Sequence, residues 1–252
     1  MRNPKPRHRR EPPPSPLADR VVFIDGEALV IDKPAGLPVD PPRDGSLSME
    51  NHLAGLTFGF ARWPVLVHRL DRDTSGCLLL ARNPKAAARF TAAFEGRMVE
   101  KSYLAVLDGV PETESGTIDI PLGKTSTREA GWRMVPDPKG KSAVTHWQVL
   151  AARDGRALVR FTPETGRTHQ LRTHALNGLH IGILGDPVYR AEGAGTGWTG
   201  GLVLHARRLV LPRDGKAPVD AVAPIPAVFA QAGFPDAEAL DAAPGIEPNR
   251  AD

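Results

Sequence analysis

The sequence has a single cysteine, Cys77, which stands inside an apolar run. One cysteine excludes a disulfide within the chain and is typical of a protein from a reducing compartment. No apolar run approaches the ~20 residues that a membrane-spanning helix needs. The first residues lead into prolines rather than into the apolar segment of a signal peptide. We therefore expect a cytoplasmic protein with no membrane partner.

A strong excess of one charge is also missing. Lys and Arg together number 32 against 29 Asp and Glu, which gives a formal net charge of +3 and a pI of about 9.2. Such a balance permits a nucleic-acid partner without requiring one. Arg outnumbers Lys, and the guanidinium group suits bidentate contacts to phosphate.

Metal-ligand pairs are scarce as well. His169 and His174 are five positions apart, so on one helix they would diverge, whereas ligands at i and i+4 converge. No metal site is predicted. The segment 195–200 matches a dinucleotide-binding string, but it neither follows a strand nor opens a helix, so we interpret it as a loop.

The elements that are present predict an α+β domain. Asp-Gly pairs at 25–26 and 154–155 stand between apolar runs and predict two hairpins. Asn83 and Gly96 bracket a helical pattern as cap and stop, and residues 99–107 have strand composition. Strands predominate and helices are few, so we expect a largely antiparallel or mixed β-sheet core with flanking helices and loops.

Composition divides the chain into three parts. Residues 1–19 are basic and rich in proline and predict a disordered N-terminal arm. Residues 20–232 are predicted to form the folded domain, and residues 233–252 are predicted to form an acidic tail. Within the domain, residues 165–175 predict a loop that enters a helix capped by Thr168, and residues 201–206 predict the last strand.

The most informative stretch runs from Val65 to Leu80. Two apolar runs of strand length flank a polar segment that holds Asp71, with Arg69 and Arg72 beside it. A nearby cation favours the ionised form of such a carboxylate. Taken alone, this pattern is also typical of a surface loop with a salt bridge.

The polar segment resembles a family signature. His68-Arg69-Leu70-Asp71-Arg72-Asp73-Thr74-Ser75-Gly76 is similar to the signature of the RluA-type RNA pseudouridine synthases. Further segments follow in the order of that family: Asp32–Leu37, Lys101–Tyr103, Thr165–Arg172 and Ile183–Tyr189. The chain departs from the family at Ile181-Gly182, where members usually have His-Pro. The departure concerns a loop and not the signature itself.

The resemblance implies an enzyme that isomerises specific uridines in ribosomal RNA, transfer RNA or both. It implies the catalytic-domain fold of that family over residues 20–232, a structured RNA stem-loop as partner, and a nucleotide flipped out of its stack. Isomerisation has no net redox change, so we expect no cofactor. We also expect a monomer.

The resemblance also implies roles for individual residues. Asp71 would be the catalytic carboxylate, acting as nucleophile or base, and Arg172 would pair with it. Tyr103 would stack on the uracil and act as, or orient, the general base. The residues implied in RNA binding are Arg69, His68, Arg72, Lys101, Arg167 and His169.

Two other functions stay open at this point. One is a non-catalytic RNA-binding module of the same fold. The other is a glycoside- or nucleoside-hydrolysing enzyme, which would need a second carboxylate, and only Asp73 or Glu164 offers itself.

Overall fold

A mixed sheet of ten strands forms the centre of the protein. The computed structural model describes residues 15–127, 131–191 and 197–243. The strands are β1 (Val21–Ile24), β2 (Ala28–Lys33), β3 (Val65–Leu66), β4 (Ser75–Ala81), β5 (Glu100–Leu107), β6 (Ser115–Asp119), β7 (Leu122–Thr127), β8 (Gly131–Pro136), β9 (Val144–Arg153), β10 (Arg156–Pro163), β11 (Leu204–Leu211) and β12 (Val219–Val222). The helices are α1 (Pro84–Glu95), α2 (Gln170–Gly178), α3 (Val228–Gln231) and α4 (Ala237–Ala242).

The order of strands in the main sheet is β1-β2-β4-β11-β5-β10-β9-β6, with β3 beside β4 and β12 beside β11. Every pair is antiparallel except β4 with β11, which run parallel. This topology confirms the predicted α+β class and the mixed sheet. None of the helices in the described ranges is long and apolar enough to cross a membrane.

Both predicted hairpins are confirmed, and their turns differ. β9 and β10 are joined at Asp154 (φ 49°) and Gly155 (φ 74°), the two positive φ values that a type I′ turn requires. In the turn between β1 and β2 the Asp25 carboxylate instead accepts the backbone amides of Glu27 and Ala28, as in an Asx turn.

Helix α1 covers one half of the sheet. It begins as predicted, because the Asn83 side chain accepts the amide of Ala86 and Pro84 takes the first helical position. Its face with Phe90 packs on the β2 and β4 residues that point to that side. Helix α2 similarly packs Leu171 and Ala175 on β5 and β10.

The structure differs from the sequence analysis at both ends of the domain. Ser15 and Leu17, which fall in the predicted arm, are buried, so the packed part includes residues before 20. Phe234 is also buried, and the Asp241 carboxylate binds the Arg160 and Arg207 guanidiniums. The start of the predicted acidic tail is therefore packed on the sheet, because apolar and ion-paired residues fasten it there. Residues 1–14 and 244–252 of the predicted arm and tail lie outside the described residues.

Two predicted boundaries need correction. Helix α2 is not capped by Thr168: it begins at Gln170, after His169 in the left-handed conformation (φ 51°). No side chain among the described residues caps this helix. The Gln170 side chain instead fixes the loop before it, since its Oε1 accepts the amide of Arg167 and its Nε2 donates to the carbonyl of Val144. The last predicted strand, 201–206, begins at 204 and continues to 211. Of the loop predicted at 195–200, residues 195 and 196 lie outside the described residues.

Candidate active site

The parallel contact between β4 and β11 is short and adjoins a cavity that is lined by Thr74 and Leu204, the residues just before the paired ones. It consists of two residue pairs, His205 with Ser75 and Ala206 with Gly76. The cavity has a volume of about 430 Å³, within the usual range for ligand sites. Its walls come from the segment before β4, the end of α1, the start of β5 and the segment that enters α2.

Strand register explains why distant residues meet here. Tyr103 on β5 pairs with Ala206 on β11, and Ala206 pairs with Gly76 on β4. Gly76 has φ 106°, and a Cβ at this position would lie 2.2 Å from the Ala206 carbonyl oxygen. Glycine is therefore required for the close approach of the two strands. The turn just before it, from Asp71 to Thr74, lines the same cavity as the start of β5.

A buried lysine fixes the backbone of this turn. Lys33 has no exposed surface, and its Nζ donates to the carbonyl oxygens of Pro34, Leu37 and Arg72 at 2.8–2.9 Å. Burial lowers the pKa of its ammonium to about 8, although the carboxylates of Asp73 and Asp71 counteract the shift. The ammonium group thus anchors the residue that follows Asp71.

Arg172 lies buried between two carboxylates. Its Nε and Nη2 donate to both oxygens of Asp186 at 2.7 and 2.8 Å, and its Nη1 lies 3.4 Å from Oδ2 of Asp71. Burial disfavours the charged guanidinium, but the ion pairs with Asp186 and Asp71 outweigh it and raise the pKa of Arg172. Arg172 is therefore a fixed cation beside Asp71.

Asp186 is a site residue that the sequence analysis missed. Its side chain is fully buried and also accepts the amides of Val188 and Tyr189. It belongs to the segment Ile183–Tyr189, which resembles a family element, so a signal was present. The partner of Arg172 was not recognisable because the contact joins α2 to a loop 14 residues later in the chain.

Aromatic rings surround the other side of Asp71. His169 places Nε2 3.9 Å from Oδ1 of Asp71, too far for a hydrogen bond, and its Nδ1 lies 2.9 Å from the Tyr189 hydroxyl. Trp132 of β8 packs edge-on against His169. Burial lowers the pKa of His169 despite the nearby Asp71 carboxylate, so the ring is predominantly neutral near pH 7.

Tyr103 lines the same cavity. Burial and, secondarily, the negative charge of Asp71 raise the pKa of its phenol. Within the described chain no hydrogen bond involves its hydroxyl. Tyr103 therefore presents a neutral ring and an uncommitted hydroxyl to the cavity. Residues 71, 103 and 172 thus meet at one place.

Three of the arginines predicted to bind RNA already have partners. Arg69 ion-pairs with Asp40 at 2.6 Å, and Arg72 binds Asp73 at 3.0 Å; both arginine side chains are more than 60% exposed. Arg167 donates from Nε to a backbone carbonyl at 2.9 Å. Arg69 and Arg167 line the cavity. Exposed pairs of this kind are weak, so they do not prevent an exchange of the carboxylate for phosphate.

His68 has a structural contact that its predicted role in RNA binding did not include. Its Nε2 accepts the amide of Leu79 at 2.8 Å, and its ring stacks on Phe94 with centroids 4.4 Å apart. Burial, and secondarily the charge of Lys101, lower the pKa of His68 to about 3. The imidazole is therefore neutral and cannot serve as a cationic contact to phosphate.

This lowered pKa predicts a loss of stability in acid. The unfolded chain binds a proton at His68 near the usual pKa of 6.5, whereas the folded chain does so near 3. Stability from this group is thus complete above about pH 6.5 and falls with pH by up to about 1.4 kcal/mol per unit. We expect His68→Gln, which retains an acceptor for the Leu79 amide, to show a shallower loss in urea unfolding between pH 6.5 and 4.5. Exposed His180 provides the control, and equal slopes for His68→Gln and His180→Gln would contradict the prediction.

Comparisons with known proteins agree on one family. A family model described as RNA pseudouridylate synthase matches residues 27–177, a range that contains the three residues brought together in the cavity. An uncharacterised RNA pseudouridine synthase of Zymomonas mobilis is 58% identical over 218 residues, which cover 86% of this chain and 99% of that protein. Ribosomal large subunit pseudouridine synthase D of the same organism is 39% identical over 194 residues, which cover 74% of this chain and 59% of that protein.

A solved structure gives the same result for the fold. The structure of human RNA pseudouridylate synthase domain containing 4 superposes with a TM-score of 0.71 at 31% sequence identity. The match covers 85% of this chain and 91% of the human chain.

Proposed function

The chain belongs to the RNA pseudouridylate synthase family and is an isomerase, and on this premise we propose that Asp71 is the residue that acts on the target uridine. The family membership confirms the resemblance to RluA-type enzymes. The observation that carries the proposal is the convergence of Asp71, Tyr103 and Arg172 on one cavity. Each comes from a different part of the chain, and the sheet register and the Asp186 contact hold them together.

The proposed chemistry needs one carboxylate. Isomerisation breaks the bond from C1′ to N1, turns the base and joins C1′ to C5, after which the proton on C5 leaves. Positive charge develops on the sugar when the first bond breaks, and a fixed carboxylate stabilises or traps it. Arg172, with Nη1 3.4 Å from Oδ2 of Asp71, orients the carboxylate for this step.

Tyr103 supports the proposal as a stacking partner for the uracil. Its raised pKa keeps the phenol protonated, which makes it a poor base by itself and favours a role in orienting the base during its rotation. Proton removal from C5 then falls to Asp71 or to water held by the Tyr103 hydroxyl.

Access to the site supports a flipped nucleotide. The Asp71 side chain is only 19% exposed, so a uridine stacked within an RNA helix cannot reach it. Extruding the nucleotide costs a few kcal/mol. Contacts between residues at the edge of the cavity and the RNA backbone offset this cost.

The substrate class that we propose is ribosomal or transfer RNA, because one relative is a ribosomal large subunit enzyme. A cytoplasmic location and a monomer complete the proposal, and the single buried cysteine supports the former.

The two alternatives have less support. A non-catalytic RNA-binding module would not need a buried arginine placed 3.4 Å from the Asp71 carboxylate. A hydrolase would need a second free carboxylate. However, Asp73 does not line the cavity, and Glu164, which does, lies 2.7 Å from Nε2 of His146.

Comparative mapping of pseudouridine tests the proposal. We expect ribosomal or transfer RNA from a strain that lacks this gene to have lost pseudouridine at one or a few positions. Re-expression of the wild-type chain should restore them, and purified protein should form pseudouridine at the same positions in RNA from the deletion strain. Identical maps in the two strains, or release of free uracil by the purified protein, would contradict the proposal.

A further inference from the structure

One wall of the cavity is formed by the end of α1 and the start of β5. It carries two cationic side chains that have no hydrogen-bond or ion-pair partner among the described residues. Arg97 and Lys101 both line the cavity. Among residues 15–127, 131–191 and 197–243, no hydrogen bond or ion pair reaches either side chain. The arginines beside Asp71 differ in this respect, because Arg69 and Arg72 are bound to carboxylates.

Lys101 is a costly residue for the fold. It is half-buried, and burial lowers the pKa of its ammonium with no carboxylate to counteract the shift. Partial burial of an ammonium group that has no ion pair costs free energy in the folded state, and no described residue forms a hydrogen bond or ion pair with it. The charge of Lys101 also lowers the pKa of nearby His68. His68 is therefore neutral and supplies no negative charge to balance Lys101.

Arg97 is held in an unfavourable backbone conformation. It follows α1 in the left-handed region, with φ 57°, which costs a residue other than glycine roughly 1–2 kcal/mol. The glycine that could adopt this conformation without strain is Gly96, but its φ is −76°. The left-handed residue after the helix is therefore Arg97 and not the glycine. Such outliers persist where function requires the side chain.

From these two observations we propose that Arg97 and Lys101 form an anion subsite that holds a backbone phosphate of the RNA strand next to the flipped uridine. Lys101 and Tyr103 are two residues apart on β5 and share one face, about 7 Å apart along the strand. A uracil stacked on Tyr103 therefore places the neighbouring sugar-phosphate backbone within reach of Lys101. The subsite rests on the proposed function, since it needs RNA in this cavity.

The charge on this wall also includes Glu95, which lines the cavity near Arg97. A carboxylate repels phosphate, so the proposal predicts opposite effects at these positions. Loss of either cation weakens RNA binding, whereas Glu95→Gln strengthens it.

The experiment measures the salt dependence of RNA binding by the full chain. The variants are Lys101→Met and Arg97→Gly, and the probe is a fluorescently labelled 20-nucleotide oligouridylate between 50 and 300 mM salt. We expect each variant to bind roughly 5- to 20-fold more weakly, as for a lost charge-assisted hydrogen bond. The slope of log affinity against log salt should fall by about 0.7 for each lost phosphate contact on a single strand. Lys85→Gln and Arg89→Gln, in the first half of α1, are the controls and should keep the wild-type slope.

Thermal unfolding separates the subsite from a structural role. Both variants should be as stable as the wild type or more stable, because one removes an unpaired buried charge and the other removes backbone strain. Unchanged slopes in both variants, or lower stability with unchanged RNA affinity, would overturn the subsite while leaving the isomerase intact. A wild-type chain that binds neither this probe nor ribosomal or transfer RNA would instead contradict the proposed function itself.

Discussion

Asp71→Asn is expected to abolish pseudouridine formation while the protein stays folded and still binds RNA. Asparagine keeps the size of the side chain but removes the negative charge that stabilises the sugar or attacks it. Loss of a group that acts on the reacting atoms costs at least about 10³-fold in rate. The fold should tolerate the change, because the Arg172 guanidinium keeps its two hydrogen bonds to Asp186.

Release of tritium from RNA that carries 5-tritiated uridine measures this prediction directly, because the C5 hydrogen leaves as the new bond forms. Asp73→Asn is the matched control: it changes a carboxylate two positions away that pairs with Arg72 at the surface, and it should retain most of the activity. Turnover near the wild-type rate in Asp71→Asn, or an equal loss in the control, would remove Asp71 from the proposed role.

Asp186→Asn is expected to have the largest effect on stability, with a loss of activity in addition. The substitution leaves the buried Arg172 guanidinium without its principal counter-charge. Removal of one partner from a buried ion pair lowers the free energy of unfolding by about 3–5 kcal/mol. Activity should fall even at temperatures where the protein is folded, because Arg172 no longer has a fixed position beside Asp71. Urea unfolding and single-turnover assays at low temperature measure the two effects.

A double variant separates these effects. Arg172→Met with Asp186→Asn removes both the buried cation and its principal counter-charge, and the asparagine introduced at position 186 would still offer an oxygen to the amides of Val188 and Tyr189. We expect much of the lost stability to return, but none of the activity. Recovery of activity in the double variant would show that Arg172 is dispensable for catalysis.

The sequence was sufficient for the parts of the fold that depend on local signals. The Asp-Gly turns at 25–26 and 154–155 and the Asn83-Pro84 start of α1 are encoded by neighbouring residues, and all three are confirmed. The cap predicted at Thr168 is wrong because the helix begins only at Gln170, whose side chain is tied to strand β9, a contact between distant parts of the chain. The burial of Leu17 and Phe234 likewise depends on what packs on them.

The candidate site shows the same division. The family resemblance drew attention to Asp71, Tyr103 and Arg172, but the residues that hold them in place come from long-range contacts. Lys33 binds a carbonyl 39 residues away, and Asp186 binds a guanidinium from another element. The pairing of the charged side chains could not be predicted. A sequence does not show that Arg69 and Arg72 have carboxylate partners, whereas Lys101 has none among the described residues.

The position of β11 has a consequence for the newly made chain. This strand lies between β4 and β5, yet it is synthesised after almost all the others. Until residues 204–211 have left the ribosome, β4 and β5 each expose an unpaired apolar edge. Asp71 and Tyr103 then lie in two parts of the chain that no strand pairing joins. Domains generally fold from the N-terminal side during translation, but here the last long strand closes the sheet. A nascent chain therefore cannot modify RNA before residues 204–211 have emerged and paired with β4 and β5.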